Sequence, residues 1–308
     1  MAILKFLINI SLIFTITVAL SVNKNSSNDS HINYRLPDNV APVHYNIKLI
    51  PYIEENNFTF DGESSINITI HRTTQNLSLH ALELTIDEAA TSLLDNDRIV
   101  YMPATYNYDN ITQILVLHFN DELLPGNYTL KMRYVGILNN DLGGFFRISY
   151  INEEGNKVWL AASHFEATLA RRAFPCWDEP ALKATFDISI KHHRNYTALS
   201  NMPIREQSDD EDGTVWTHFD TTPIMSTYLV AFVVSDYVRV ANENETVNMW
   251  CRSKLAPHTK FAQGVAEKSG RLLTEYTNST DKVPKMDHVA VPRFRAGAME
   301  NWGLIIYV

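Results

Sequence analysis

Residues 45–49 read Tyr-Asn-Ile-Lys-Leu, and residues 66–70 read Ile-Asn-Ile-Thr-Ile. In both stretches apolar side chains alternate with polar ones, and this period of two is typical of a β-strand with one buried face. Similar apolar stretches predict further strands at residues 114–119, 128–134, 186–190 and 216–219. The larger part of the chain is therefore predicted to consist of strands.

Two more features complete the predicted strand pattern. Residues 145–151 and 158–162 are strand-like and flank residues 152–156, Asn-Glu-Glu-Gly-Asn, which predict a hairpin loop. Residues 228–234 form a continuous apolar run that suits a strand buried on both faces. The fold is predicted to be mainly β, with an antiparallel β-sandwich or saddle-like domain over residues 36–240.

The pattern changes after residue 240. Apolar and small side chains recur at helical spacing, at Ala262, Val265, Ala266, Ser269, Leu272, Leu273 and Tyr276. Pro257 is predicted near the start of this helix and Asn278 at its end. Strand-like segments follow at residues 289–291 and 304–307. Residues 241–308 are predicted to begin a mixed α/β domain, and because the chain stops within an apolar strand we expect a truncated product or gene model.

The amino-terminal residues predict export. Lys5 precedes a largely apolar run over residues 6–20, and the small residues Ala19 and Ser21 suit a signal peptidase. Residues 1–21 are predicted to be a cleaved signal peptide, with an uncleaved membrane anchor as the alternative. Residues 22–35 are polar and are predicted to form a disordered leader.

Acceptor sites for N-linked glycans support the same interpretation. Ten Asn-x-Ser/Thr sequons occur, at Asn25, Asn28, Asn57, Asn67, Asn76, Asn110, Asn127, Asn195, Asn244 and Asn278. A composition rich in Asn and Thr accounts for part of this number. Their spread along the whole chain favours a glycoprotein of the secretory pathway, extracellular or at the cell surface.

Composition and charge exclude some partners. The 308 residues carry a formal net charge of -9, so no basic face is expected and nucleic acid is not a predicted partner. The two cysteines, Cys176 and Cys251, are too few for a disulfide scaffold and are predicted to be buried free thiols. His192 and His193 lie in a charged stretch and are predicted to be on the surface.

A second informative stretch lies at residues 297–304, which read Gly-Ala-Met-Glu-Asn-Trp-Gly-Leu. An exopeptidase acting at the amino end must face the substrate α-ammonium with carboxylates, because an unpaired charge is costly to bury. It must also bring its own backbone close to the first peptide bond, which small residues allow. Residues 297–300 offer both features. Taken alone, they also fit an ordinary turn leading into a strand.

Four segments together carry a family resemblance. Residues 164–180 read His-Phe-Glu-Ala-Thr-Leu-Ala-Arg-Arg-Ala-Phe-Pro-Cys-Trp-Asp-Glu-Pro, and residues 285–304 contain the Gly-Ala-Met-Glu stretch. With residues 142–146 and 225–232, they resemble the aminopeptidase N-like zinc metallopeptidases, the membrane alanyl aminopeptidase family of gluzincin type. The resemblance covers residues 36–308. It implies that residues 241–308 begin a thermolysin-like catalytic domain.

The resemblance implies roles for individual residues. Glu300 would bind the substrate α-ammonium, Gly297 and Ala298 would contact the substrate backbone, and Met299 would help line the pocket for the first side chain. Glu166 would supply a second carboxylate for the amine.

Some of these assignments have alternatives. Glu166 could instead form a salt bridge with Arg171 or Arg172, and Asp178 and Glu179 are interpreted as scaffold partners of these two arginines. His164 stands where the family usually has Gln, and Leu169 stands where Asp is common. His164 would therefore alter the substrate pocket, or it is a packed residue without a binding role.

The zinc site that the resemblance implies is not encoded in this chain. The family holds zinc with His-Glu-x-x-His and a more distant Glu, and no His-Glu-x-x-His occurs among the eleven histidines. Zinc is expected only in the full-length parent, and the isolated chain is predicted to be inactive.

The expected partners are peptides with a free amino terminus, and membrane association would use an anchor outside this chain. A truncated, non-catalytic peptide-binding or receptor glycoprotein is the alternative, and a non-functional remnant is a third reading.

Overall fold

The computed structural model describes residues 32–279 and 283–308. The chain divides into two units, Met1–Arg35 and Leu36–Val308, and the described strands and helices lie in the second. The predicted signal peptide and residues 22–31 of the predicted leader lie outside the described residues. Within the described ranges, none of the helices has the length and apolar character that a membrane span requires.

Strands make up most of the second unit. In chain order they are β1 Val40–Pro51, β2 Thr59–Ile70, β3 Thr74–His80, β4 Leu84–Asp95, β5 Val100–Tyr101, β6 Thr105–Asp109, β7 Ile114–Leu123, β8 Gly126–Ile137, β9 Gly144–Ile151, β10 Lys157–His164, β11 Thr185–His193, β12 Thr197–Ser200, β13 Ile204–Asp209, β14 Thr214–Phe219, β15 Phe232–Ser235, β16 Val238–Ala241, β17 Val247–Cys251, β18 Met286–Ala290, β19 Ala298–Met299 and β20 Leu304–Tyr307. The α-helix α1 spans Lys260–Thr277, and 3-10 helices span Ala170–Arg172, Thr227–Leu229 and Ser253–His258.

These strands form four sheets. The largest has the order β13-β14-β11-β1-β2-β8-β4-β5, and a four-stranded sheet has the order β12-β15-β10-β9. A three-stranded sheet, β3-β7-β6, and a five-stranded sheet, β16-β17-β18-β20-β19, complete the set. The predicted mainly β fold is confirmed. Pairing is mostly antiparallel, but β1 and β11 run parallel within the largest sheet.

The alternation of apolar and polar residues corresponds to alternating burial, as the sequence predicts. Tyr45, Ile47 and Leu49 of β1 are fully buried, whereas the residues between them are partly or fully exposed. The loop at residues 152–156 is a hairpin turn, because the Asn152 N–H donates to the Asn156 carbonyl at 2.9 Å and β9 pairs with β10. One face of each strand therefore supplies the core, and the other remains outside.

Aromatic rings join the largest sheet to the four-stranded sheet. Phe60 on β2 has its ring centroid 5.3 Å from that of Phe145 on β9, and Phe145 lies 4.9 Å from Phe232 on β15. Phe232 in turn lies 5.5 Å from Phe165, the residue that follows β10. Such pairs contribute about 0.5–1.5 kcal/mol each beyond the burial of their area. They fix the carboxyl end of β10 against the core.

The predicted strand at residues 228–234 is wrong in its first half. Residues Thr227–Leu229 form a 3-10 helix, and the strand β15 begins only at Phe232. The Leu229 carbonyl accepts a hydrogen bond from Asn201 Nδ2 at 2.7 Å, and the Ala231 N–H donates to Asn201 Oδ1 at 2.9 Å. Because the Asn201 side chain satisfies these two backbone groups, the first half of the apolar run can be buried without forming a ladder.

The predictions for His192 and for the two cysteines have clear outcomes. His192 is buried rather than on the surface, because it falls on the inner face of β11, where its Nε2 lies 2.8 Å from the Thr217 hydroxyl. Cys176 and Cys251 are buried free thiols, as predicted. Burial raises the pKa of the Cys176 thiol well above its usual value.

Helix α1 ends at Asn278, which has the left-handed backbone conformation of a helix terminus, with φ 47°. It begins at Lys260, and Pro257 lies in the preceding 3-10 helix rather than at the helix start. None of its residues is buried, and Leu272 and Tyr276 are 60% and 89% exposed. The described residues thus leave the predicted apolar face of this helix uncovered.

A buried ammonium group joins the four-stranded sheet to the five-stranded sheet. Lys285 Nζ donates to the Ser200 carbonyl at the end of β12 (2.6 Å), to the Gly303 carbonyl before β20 (2.8 Å) and to Asp287 Oδ2 on β18 (2.6 Å). Asp287 also accepts a hydrogen bond from Asn248 on β17 at 2.8 Å. Burial lowers the pKa of Lys285, and the Asp287 carboxylate opposes that shift.

Asn201 also connects the region of the four-stranded sheet to that of the five-stranded sheet. Its Nδ2 donates to the carbonyls of Leu229 (2.7 Å) and Trp302 (2.8 Å). Gly303 has φ 74°, and a Cβ there would overlap the Asn201 carbonyl oxygen, so only glycine fits this approach. We call Lys285, Asn201, Asp287 and Gly303 the joint. It fixes residues 301–303 against the β12–β15 region.

The joint can be tested by removing its charge. Lys285→Met should lower the free energy of unfolding by about 3–5 kcal/mol, because it leaves the buried Asp287 carboxylate without its cation. Lys285→Met with Asp287→Asn should recover part of this loss, since neither charge then remains. Urea unfolding followed by tryptophan fluorescence measures both, with the exposed Lys254→Met as control. Equal stability of Lys285→Met and Lys254→Met would contradict the importance of the joint.

Candidate functional site

The carboxyl end of β10 carries the first predicted site residues. His164 is the last residue of β10 and pairs with Gly144 on β9. Phe165 is fully buried, and the chain then turns outward, so that Glu166 is exposed. Neither a hydrogen bond nor an ion pair reaches the Glu166 carboxylate from residues 32–279 or 283–308.

The alternative prediction, a salt bridge between Glu166 and either Arg171 or Arg172, is wrong. Arg171 Nε donates to Asp178 Oδ2 at 2.9 Å, in a buried ion pair. Arg172 is engaged by Glu83 Oε2 at 2.6 Å and by Asp141 Oδ2 at 3.0 Å. Both guanidinium groups are therefore already neutralised by other carboxylates.

The scaffold interpretation of Asp178 and Glu179 is correct in part. Asp178 binds Arg171, as predicted, and it also accepts from Thr227. Glu179 does not bind Arg172; its Oε1 accepts a hydrogen bond from the Leu36 N–H at 2.8 Å instead. These acids hold the turn after β10 in place and are not exposed to a ligand.

His164 contacts the segment that carries the other predicted site residues. Its ring centroid lies 4.8 Å from that of Phe294, edge to face, and both side chains are buried. Burial lowers the pKa of His164, the nearby Glu166 carboxylate raises it, and Arg295 lowers it. His164 Nδ1 has no hydrogen-bond partner among the described residues. This contact brings residues 294–295 to the end of β10, two residues from Glu166.

Residues 297–300 lie at the open edge of the five-stranded sheet. Ala298 and Met299 form β19, which pairs with β20, where Ala298 lies opposite Tyr307. The Gly297 carbonyl accepts from the Val308 N–H at 3.2 Å, and no atom lies within 4 Å of the position of a Cβ on Gly297. The other edge of β19 is unpaired in the part of the chain that the structure describes.

The side chains of this short strand alternate in burial. Met299 is 1% exposed and belongs to the core, whereas Ala298 and Glu300 are exposed. The Glu300 carboxylate has no ion-pair partner within residues 32–279 and 283–308. Asn301 then turns the chain, with its carbonyl accepting from the Leu304 N–H at 3.1 Å. Glu300 is thus a free acid placed immediately before the joint.

Sequence reasoning missed the residues that position this segment. Phe294, Arg295 and Lys285 lie within the family-like segment of residues 285–304 but have no predicted role, and Asn201 lies outside all four such segments. The contact of Asn201 with Trp302 spans 101 residues, and that of Lys285 with Ser200 spans 85. No local pattern signals partners at such distances.

A groove on the largest sheet is separate from these residues. It has a volume of about 430 Å³ and lies on the outer face, where Lys48, Glu63, Asp87, Arg133 and Trp216 contribute to its walls. None of the predicted site residues lines it. The groove is therefore not the amine-binding site that the sequence predicts.

The side chains in the described part of the chain do not fit a catalytic zinc ion. No group of three His, Cys, Asp or Glu side chains suited to a metal occurs among residues 32–279 and 283–308. The sequence itself lacks His-Glu-x-x-His. We therefore assign no chemical step involving a metal to residues of this chain.

Comparison with known proteins identifies the family of this chain. The family profile described as Peptidase M1 N-terminal domain matches residues 41–229, and that described as Peptidase family M1 domain matches residues 261–308. Aminopeptidase A of Gloydius brevicauda is 35% identical over 288 residues, which are 92% of this chain and 30% of that protein.

Two mammalian relatives give the same result. Glutamyl aminopeptidase of Homo sapiens is 36% identical over 282 residues, 89% of this chain and 29% of its own length. Aminopeptidase N of Bos taurus is 35% identical over 299 residues, which are 89% of this chain and 30% of that protein. The chain thus spans about 30% of the length of these relatives. Because the first profile alone covers more than half of it, the chain belongs to peptidase family M1.

Proposed function

We propose that this chain is the amino-terminal part of a zinc aminopeptidase that removes amino-terminal residues from peptides. The observation that carries the proposal concerns Glu166 and Glu300, in a chain of peptidase family M1. Both carboxylates are exposed, and neither has an ion-pair partner among residues 32–279 and 283–308. Relatives whose names denote aminopeptidases support the reaction class. Zinc and the water that it activates would be supplied by the part of the protein outside this chain.

Recognition of the substrate amine is assigned to the two carboxylates. A primary ammonium group forms up to three charge-assisted hydrogen bonds, which are stronger than neutral ones. In the free site both acids are exposed and hydrated. When an ammonium group lies between them, its charge offsets their mutual repulsion. The His164–Phe294 contact supports this role, because it brings the segment leading to Glu300 to the turn that carries Glu166.

The substrate backbone is assigned to the open edge of β19. A strand edge presents N–H and C=O groups that an extended peptide can pair with, as in β-augmentation. Gly297 and Ala298 are small and exposed, so that a peptide can approach closely. Met299 is buried, and its proposed contribution is to support the pocket for the first side chain from beneath.

His164 is assigned to positioning this segment. Its ring is buried against Phe294, which makes it a packing residue more than a direct ligand of the substrate. Substrate preference would then depend on His164 through the placement of residues 294–300.

Export is also part of the proposal. A relative 36% identical over 283 residues is a thyrotropin-releasing hormone-degrading ectoenzyme of Homo sapiens, and its name denotes an enzyme facing the outside of the cell. The apolar run over residues 6–20 and the ten sequons favour the same location for this chain.

The reaction is tested on the full-length product of the gene and on the isolated chain. The full-length product should hydrolyse aminoacyl-anilides with a free α-amine and should not hydrolyse their N-acetyl derivatives. Recombinant residues 22–308 with added zinc should hydrolyse neither. Turnover by residues 22–308 would contradict the assignment of the zinc site to the missing part, and absence of activity in the full-length product would contradict the proposed function.

The role of Glu300 is tested by Glu300→Gln in the full-length product. Loss of a charge-assisted hydrogen bond, about 1.5–3 kcal/mol, should lower kcat/KM for free-amine substrates by roughly 10- to 150-fold. The matched control is Glu154→Gln, at an exposed acid in the hairpin loop between β9 and β10. An unchanged kcat/KM in Glu300→Gln would refute the amine-binding role.

The buried state of His164 predicts a pH dependence of stability. Because burial lowers the pKa of His164, the unfolded chain, in which a histidine titrates near ~6.5, binds the proton more readily. Stability should therefore be lost as the pH falls from about 7 through the folded-state pKa. His164→Gln should lose less free energy of unfolding over this range. Urea unfolding at several pH values, with His258→Gln as control, measures the difference, and parallel curves for His164→Gln and the parent chain would exclude the effect.

A further inference from the structure

Two sequons face each other across adjacent strands of the largest sheet. Asn67-Ile68-Thr69 lies in β2, and Asn127-Tyr128-Thr129 lies in β8. The antiparallel register places Asn67 opposite Thr129 and Thr69 opposite Asn127. Because Ile68 and Tyr128 point to the core, the two asparagines and two threonines share the outer face of the sheet.

The four side chains are joined by two reciprocal hydrogen bonds. The Thr129 hydroxyl donates to Asn67 Oδ1 at 3.0 Å, and the Thr69 hydroxyl donates to Asn127 Oδ1 at 2.9 Å. Each asparagine thus uses its carbonyl oxygen to bind the threonine of the other sequon. Neither Nδ2 donates a hydrogen bond within residues 32–279 and 283–308, and both asparagines are exposed.

We propose that Asn67 and Asn127 both carry N-linked glycans, which lie side by side on this face. The proposal rests on the secretory location given under the proposed function. The glycan donor is an oligosaccharide linked to a polyprenyl diphosphate. Asn Nδ2 forms a bond to the sugar C1 and loses one proton, while the bond from C1 to the diphosphate oxygen breaks and the diphosphate leaves with the electron pair.

The reciprocal hydrogen bonds make the folded sheet compatible with both modifications. Glycosylation substitutes Nδ2 and leaves Oδ1 as an acceptor, so that both threonine hydroxyls keep their partners. The hydroxyl donors also hold each asparagine side chain on the outer face, with Nδ2 not engaged. A cross-strand Asn–Thr pair would stabilise the sheet even without a glycan, so occupancy has to be measured directly.

The geometry places the two glycans close together. Asn127 is the diagonal neighbour of Asn67, two residues from its direct partner Thr129, which corresponds to about 7–8 Å between the residues. Two branched oligosaccharides at this spacing would cover this end of the outer face. That end of the outer face is therefore assigned to solvent and sugar rather than to protein contact.

The experiment uses the whole 308-residue chain expressed in a glycosylating eukaryotic cell line. Glycans are released by peptide-N-glycosidase F in ¹⁸O-labelled water, and labelled asparagines are located by peptide mass spectrometry. Asn67 and Asn127 should both be labelled, and the mass of the intact chain should show both glycans on one molecule. Asn195, exposed in the turn between β11 and β12, is the reference sequon.

Matched variants separate the modification from the fold. Asn67→Asp and Asn127→Asp keep an acceptor oxygen for the facing threonine but lack Nδ2, so each should lose one glycan, and the double variant should lose two. Thr69→Ser and Thr129→Ser keep both the sequon and the hydroxyl, and they should retain both glycans.

Two outcomes would overturn the proposal and can be told apart. Labelled Asn195 with unlabelled Asn67 or Asn127 would refute the glycan pair and leave the secretory location standing. No label at any sequon would refute both the pair and the secretory location. Neither result depends on peptide hydrolysis, so the reaction assigned to the full-length product is tested independently.

Discussion

The Lys285 ammonium group is the contact on which the placement of the candidate site depends. It binds the carbonyl oxygens of Ser200, at the end of β12, and of Gly303, in the loop before β20, and its charge is balanced by Asp287. Withdrawing an ammonium group from water costs several kcal/mol, which only a close carboxylate and further acceptors can offset. All three hydrogen bonds must therefore form together, and this requirement fixes the loop before β20 to the end of β12. Glu300 lies three residues from Gly303 in the same loop, so its position relative to the β-rich part follows from the joint.

Strands with one buried face could be predicted from the sequence, whereas irregular buried segments could not. Tyr45, Ile47 and Leu49 alternate with polar residues, and this alternation directly reports a pleated strand with one side in the core. Residues 228–234 are apolar throughout, so the sequence reveals their burial but carries no period that distinguishes a strand from another buried conformation. The conformation of the part before β15 depends on Asn201, whose side chain replaces ladder bonds at the Leu229 carbonyl and the Ala231 N–H.

In the candidate site, too, some features could be predicted from the sequence and others could not. The family resemblance selected Glu166 and Glu300, and both lie exposed and unpaired in the described part of the chain. It did not reveal what holds them there. Arg172 binds Glu83, which is 89 residues away in the sequence, and Asp141, which is 31 residues away. The predicted partner, the nearby acid Glu179, was therefore wrong. Charge pairs between distant segments depend on the tertiary fold, and a local pattern can only suggest the nearest acid.

The open edge of β19 and the two free acids explain together why the proposed site would select chain ends. An unpaired strand edge by itself accepts any extended peptide, which is why such edges are usually protected. An internal peptide segment docked beside β19 would remove water from Glu166 and Glu300 without providing a cation, and an uncompensated carboxylate costs several kcal/mol to desolvate. A peptide that ends at this point brings its α-ammonium group and removes that cost. The same two acids would thus attract the correct ligand and repel the wrong one, which is how specificity arises from a difference between affinities.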